Sequence, residues 1–190
     1  MTEDPDAATV VAESGRHPGE SFDNEDYERV KSAVHEGTLG AALTGPSVLV
    51  VGSYDDPERE RLERVRDRIG EHRTALLMDE VEEVWEYWTT KFKLLVANVE
   101  LVVGVYEHSD GGHEWEAGYL DARERRARTV VLKRSYPGIE DPADEPFDAM
   151  MAHWMATMRH LDRVYDWSLA ETGPSLAEAT GHVIEAHLEY

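Results

Sequence analysis

Two carboxylates and two glycines cluster near the middle of the chain: Asp110, Gly111, Gly112 and, four residues on, Glu116. Glycines let a ligand approach the backbone closely, and a carboxylate beside them can serve as nucleophile, acid or base. The cluster follows a short apolar run and precedes a stretch that reads as a helix from about Glu114 to Arg126. That reading puts Glu116 in the first helical turn, where the helix dipole stabilises negative charge and keeps the carboxylate ionised, as a nucleophile requires. Glu114 is as well placed by the same criterion, and acids commonly occupy first turns only as dipole partners. Spacing alone therefore does not choose among these readings. Gly118 is expected to let the helix pack close to a sheet. His108 and His113 flank the segment; two histidines without further ligand spacing are a weak metal signal, so no metal is expected and both read as exposed loop residues.

The elements that must hold this segment follow a regular pattern. Val48 to Val51 is a β-branched run suited to a buried parallel strand, and it ends at Gly52-Ser53. Asp56-Pro57 reads as an N-cap followed by proline at the first helical position, with Leu62, Val65 and Ile69 on one face of the helix. Thr74 to Met78 predicts a second strand. Val81, Val84, Trp85, Trp88, Phe92 and Leu95 fall on one helical stripe. Leu101 to Tyr106 and Thr129 to Leu132 predict strands three and four. Phe147 to Met158 reads as helical, Leu161 to Trp167 as a fifth strand and Leu176 to Leu188 as a final helix. Strands alternating with helices imply an α/β fold: a doubly wound, flavodoxin-like parallel sheet of about five strands with helices on both faces. Ligands of such folds bind at the carboxyl ends of the strands, which here means the loops at 52–56 and 107–113. Residues 1–22 read as a disordered acidic leader and 23–190 as one domain, with a further helix between Asp23 and Leu43.

Glu100 to Tyr119 reads ELVVGVYEHSDGGHEWEAGY. This segment resembles the core of nucleoside 2-deoxyribosyltransferases and their relatives, the deoxynucleoside monophosphate N-glycosidases. The closest likeness is Glu116-Ala117-Gly118-Tyr119 after an apolar strand and an acidic loop, and it extends over about thirty-five residues. The resemblance implies that Glu116 is the catalytic nucleophile and Asp110 the second active-site acid. It implies that Glu100 handles the base, where the transferases usually carry an Asp. Gly52, Ser53, Tyr54, Ser109, Gly111 and Gly112 would line the substrate site, with Ser53 and Ser109 as candidates for a phosphate. It implies further that a nucleoside-type substrate is cleaved through a glycosyl ester on Glu116, with no cofactor, and that chains assemble as homo-oligomers. Tyr54 and Trp115 could stack a base; Phe147, Met151, Trp154 and Met158, at helical spacing, are expected to be core.

Composition narrows the partners. The 190 residues carry 40 acidic against 19 basic side chains, a formal net charge of -21. Such a surface repels nucleic-acid phosphates. Because the charge is spread along the chain, it is expected to reflect a salty cytoplasm, where a Debye length of about 3 Å at ~1 M salt screens the repulsion. There is no cysteine, so disulfides and thiolate chemistry are excluded. No apolar run is long enough for a membrane span, and no secretory signal is visible. Two other classes remain open: a non-catalytic nucleotide-sensing domain and a TIR-like NAD-cleaving enzyme. A purely structural oligomer is a third. The lack of Arg or Lys in either loop favours a neutral nucleoside over a monophosphate.

Overall fold

In a computed structural model of the chain, residues 25, 28–29, 31–33, 37, 39–40, 44–81, 87–109, 111–139, 144–171 and 173–189 are described below. The elements run β1 (Ser47–Gly52), α1 (Glu58–Gly70), β2 (Thr74–Leu77), a 3-10 turn (Met78–Glu80) and α2 (Trp88–Asn98). Then come β3 (Leu101–Tyr106), α3 (Gly111–Leu120), α4 (Arg123–Arg126), β4 (Thr129–Arg134), α5 (Ala149–His160), β5 (Val164–Trp167) and α6 (Leu176–His187). All five strands are parallel, in the order β2-β1-β3-β4-β5. This is the expected flavodoxin-like α/β sheet, and its strand order reverses direction between β1 and β3.

Alternation along the strands divides the core into two layers. Val48, Val50, Val103, Val105, Val130 and Leu132 face α1 and α6, and pack on Leu62, Val65, Ile69, Val183 and Ile184. Leu49, Val51, Val102, Tyr106 and Val131 face α2, α3 and α5, and pack on Phe92, Leu95, Leu120, Met151 and Trp154. Residues 48–51 are completely buried, as expected for a central strand covered on both faces. Each such aliphatic side chain contributes about 1.5–3 kcal/mol by leaving water. The stripe Phe147, Met151, Trp154 and Met158 is core, as its spacing predicts.

Several boundaries differ from the sequence reading. The second long helix starts at Trp88 rather than Val81; Tyr87 and Val81 are extended. Val81 is buried nonetheless, and the buried Lys91 ammonium donates to its carbonyl at 3.0 Å. Val84 and Trp85 lie outside the described residues. Pro57 occupies the N-cap of α1 with no side-chain cap, one position earlier than predicted, and Asp56 is not the cap. The single helix expected from Glu114 to Arg126 is two, α3 and α4, broken after Leu120. In the expected Asp23–Leu43 helix, residues 25, 28–29, 31–33 and 39–40 are helical, and Ala33 and Leu39 are buried against the α2–α5 layer. The expected leader, and Tyr27, Val30 and Val34, lie outside the described residues.

Two glycines allow close approaches at the end of the sheet that matters for function. A Cβ on Gly52 would lie 2.4 Å from the carbonyl oxygen of Val105, its partner across the β1–β3 ladder. A Cβ on Gly104 would lie 2.3 Å from the ring of Tyr106. Both distances are far inside van der Waals contact, so only glycine fits at either place.

Candidate active site at the sheet switch point

The crossovers from β1 and β3 leave the sheet in opposite directions and open a crevice between their carboxyl ends. A cleft of about 230 Å³ lies there. Gly52, Ser53, Tyr54 and Asp55 of the loop after β1 form one wall, Met78 and Trp88 close one side, and Gly112, His113 and Glu116 of α3 face them. Gly112 and Glu116 are one helical turn apart, so both present to the same opening.

Glu116 is the buried acid of this cleft, with 4% of its surface exposed. The Tyr106 hydroxyl, itself fully buried, donates to its Oε2 at 3.4 Å. Tyr106 can lie back along the strand because Gly104 beneath its ring has no side chain. The Trp154 and His113 rings pack edge-on against it, at centroid distances of 5.8 and 5.1 Å. Because α3 begins at Gly111, Glu116 lies in the second turn, and Glu114 is the acid of the first. This corrects the expected dipole argument, since the effect of the helix end fades beyond the first turn. The Tyr106 hydroxyl provides a direct donor for the carboxylate instead. Glu114 turns elsewhere: it shares a hydrogen bond with Asp148, the N-cap of α5. The Met151 backbone N–H, and after it the bond with Glu114, holds Asp148 below the usual carboxylate range.

Across the cleft, the Tyr54 hydroxyl oxygen accepts from the Met78 backbone N–H at 3.0 Å. Burial pushes the phenol well above its ordinary pKa; the Met78 bond opposes the shift, and the Glu116 charge adds to it. Tyr54 is therefore a neutral group at physiological pH, able to donate a hydrogen bond to a ligand. Ser53 is largely buried, and its Oγ accepts from the Asp55 backbone N–H at 3.4 Å, the usual role of a turn serine.

The other expected site residues fall as follows. Gly52, Ser53, Tyr54, Gly112 and Glu116 come together in the cleft. Gly111 is the first residue of α3 rather than part of a glycine loop, and Asp110 lies outside the described residues. Ser109 is drawn away: its Oγ accepts from the Asp148 backbone N–H at 2.9 Å, and its own N–H donates to Pro146. Glu100 is not at the site. Its N–H donates to Ser47 at the start of β1, and its exposed carboxylate is 3.9 Å from Arg73. The length of β3, about 20 Å at ~3.3 Å per residue, separates it from Glu116, so within the chain Glu100 stands away from the cleft. Gly118 is exposed with open space beside it and has no part in helix–sheet packing. Trp115 stacks on Tyr119 and meets Phe92 edge-on, which makes it part of an aromatic cluster beside the core.

Three contributions are absent from the sequence reading. Tyr106 donates its hydroxyl to the buried Glu116. His113 is buried, 3% exposed, and lines the cleft instead of sitting in an exposed loop. Glu107, also buried, bridges Arg61 of α1 and Arg134 of β4 through its two carboxylate oxygens, and its backbone carbonyl accepts from Tyr136. This clamp fixes the carboxyl end of β3 just before the loop. No local pattern in the sequence signals it, because all three partners are distant along the chain.

Two larger cavities lie elsewhere, about 650 Å³ between α5 and strands β4 and β5, and about 610 Å³ between α1 and α6. The first is lined by charges that neutralise one another, Lys133 with Glu145 at 2.7 Å and Arg159 with Asp166 at 2.6 Å. Neither brings a buried carboxylate to a strand end. Among the described residues, no three His, Asp or Glu side chains are grouped to hold a metal ion, and no helix is long and apolar enough to cross a membrane. A family model described as a family of unknown function (DUF8170) matches residues 10–163. No curated protein and no solved structure matches the chain.

Proposed function

We propose, from the premise that the chain belongs to a family of unknown function (DUF8170) and that its site must therefore be read on its own chemistry, that the protein cleaves or exchanges the N-glycosidic bond of a nucleoside. The observation that carries the reading is the position of Glu116: a buried carboxylate with a hydroxyl donor, facing a small cleft at the sheet switch point. The resemblance of residues 100–119 to the deoxyribosyltransferases supplies the reaction class. The Glu116 carboxylate attacks the anomeric carbon, and the bond to the base breaks with its electron pair passing to the base nitrogen. The departing base takes a proton from a second acid, a role the resemblance gives to Asp110. A second base, or water, then displaces Glu116 with overall retention.

Two features favour a neutral nucleoside. The described lining residues include the acids Asp55 and Glu116 and no Arg or Lys, so a phosphate would enter against negative charge. The cleft is also below the ~300–1,000 Å³ typical of sites for drug-sized ligands, which disfavours a dinucleotide such as NAD. The reading includes no cofactor and a cytoplasmic, salt-rich setting, supported by the charge and the absence of cysteine. It also includes a homo-oligomer, supported by the exposed Tyr87 and Trp88 beside the cleft.

Incubation with a deoxynucleoside and a different free base tests the reading. The new nucleoside is expected by chromatography, or slow release of free base when no acceptor is present. Release only from a monophosphate would reverse the choice of substrate. Inertness towards every nucleoside and nucleotide would move the protein to the class of non-catalytic sensors.

A further inference from the structure

Departure of a nucleobase needs a proton, and the structure removes one of the two acids the resemblance offered, since Glu100 sits at the far end of the sheet. An aspartate such as Asp110 is ordinarily ionised at neutral pH and has no proton to give. Tyr54 holds its proton too tightly to release it, because burial raises its pKa. Imidazole is the side chain that gains and loses a proton near neutrality, and one lines this cleft. His113 is buried between α3 and Tyr106, and its Nδ1 lies 3.1 Å from the carbonyl oxygen of His108. A carbonyl can only accept, so Nδ1 carries the hydrogen, and Nε2 is the nitrogen that exchanges a proton.

We infer that His113 is the general acid and base of the glycosyl reaction, giving its Nε2 proton to the leaving base and recovering it from the attacking water. The inference rests on the proposed N-glycosidic activity and assigns to His113 the proton that the resemblance leaves to Asp110. The steps balance. Imidazolium His113 donates from Nε2 as the C–N bond breaks and Glu116 forms its ester. Neutral His113 then removes a proton from water as the water oxygen bonds to the anomeric carbon and the ester bond returns its electrons to Glu116. The sum is nucleoside plus water giving sugar plus free base.

Titratable and charged groups face His113 from the elements packed around it. Glu116 and Glu114 lie on its own helix, and Tyr54 and Asp55 stand across the cleft. Tyr106 of β3 and His108 of the preceding loop contact the ring at centroid distances of 5.1 and 5.9 Å. From α5, the uncharged Trp154 reaches Tyr106, and Asp148 caps the helix beyond it.

The test compares deoxyadenosine, whose base must be protonated to leave, with nitrophenyl deoxyriboside, whose nitrophenolate leaves without a proton. His113→Asn keeps an N–H for the His108 carbonyl and has no exchangeable proton near neutrality; an unchanged melting temperature confirms its fold. It is expected to cleave deoxyadenosine on the order of 10²–10⁴-fold more slowly than wild type. It should still release about one nitrophenolate per chain in a rapid burst, since attack by Glu116 is intact. The alkaline fall in the wild-type rate, where imidazolium is lost, should vanish in the variant. Added imidazole should restore part of the activity of His113→Ala. Deoxyadenosine cleavage at the wild-type rate by His113→Asn overturns the assignment while leaving the glycosidic reading intact. Equal loss of first-turnover rate on both substrates, with no nitrophenolate burst, an unchanged pH profile and no rescue, overturns it in favour of a structural role. Wild-type inertness towards both substrates brings down the glycosidic reading and this inference together, without reference to any variant.

Discussion

At the scale of single residues, the site depends on a carboxylate and the ring that supports it. Glu116→Gln preserves shape and hydrogen-bonding capacity but removes the charge that the proposed attack requires. Ligand is expected to bind nearly as before, by calorimetry, while turnover falls about 10⁴-fold or more, as it does when a nucleophile is deleted. Unchanged turnover would redirect attention to Glu114, although that residue is engaged with Asp148. Tyr106→Phe leaves the ring seated over Gly104 and deletes only the hydroxyl that reaches Glu116. A hydrogen bond to a charged group contributes about 1.5–3 kcal/mol, so turnover should fall roughly 10- to 100-fold if the whole bond acts in the transition state. The distance of 3.4 Å is long, which places the expected loss near the lower figure. A steady-state assay of the variant checks it.

At the scale of elements, α6 is held by a capping box that has a pH signature. The Ser175 Oγ accepts from the Glu178 backbone N–H at 3.2 Å, and the Glu178 carboxylate accepts from the Ser175 N–H and hydroxyl at 2.7 and 2.8 Å. These last two bonds, backbone first, hold Glu178 below the usual carboxylate range. Its folded pKa is therefore below its unfolded one. The associated stability is present above the unfolded value, about 4.3, and is lost as pH falls through the folded value. Ser175→Ala is expected to cost about 1 kcal/mol at neutral pH, with the deficit shrinking in acid as pH falls through the folded value and the carboxylate protonates. Thermal melts at neutral and at acid pH decide it; a deficit that stays constant would show that the carboxylate is not part of the cap's contribution. The helix matters beyond its own stability, because Val183 and Ile184 cover the face of the sheet opposite α3.

At the scale of the whole molecule, charge sets the expected response to salt. A net charge of -21 on 190 residues destabilises the folded state by self-repulsion. Ion pairs along α1 pull in the opposite direction, among them Arg59 with Glu63 at 3.1 Å and Arg64 with Glu60 at 3.4 Å. The first is half-buried and the second exposed, and such surface pairs are each worth only ~0–1 kcal/mol. Repulsion outweighs them, so the melting temperature should rise between about 10 mM and about 1 M salt, as the Debye length falls from ~30 to ~3 Å. A flat curve would remove the salt-adapted reading. Light scattering over the same salt series reads the assembly state, with a species larger than the 21.5 kDa monomer expected at high salt.

How far the sequence reaches can be judged from particular residues. The five strands and their helices were legible because their signals are local: β-branched runs such as 48–51, apolar stripes at helical spacing, and breaks at Gly-rich turns. The parallel, flavodoxin-like sheet followed from the alternation of elements, and with it the end of the sheet where a ligand would lie. Glu116 was legible through a short contiguous motif. The separation of Glu100 from Glu116 is legible too, since a residue that opens a strand lies a strand's length from one that follows it. The rest depended on contacts between segments far apart in the chain. The seating of Tyr106 over Gly104 beneath Glu116, the burial of His113 and the Glu107 bridge between Arg61 and Arg134 have no local pattern. Each exists only after the sheet has brought β1, β3 and β4 side by side, because hydrogen bonds and burial are set by distance in space and not by spacing along the sequence.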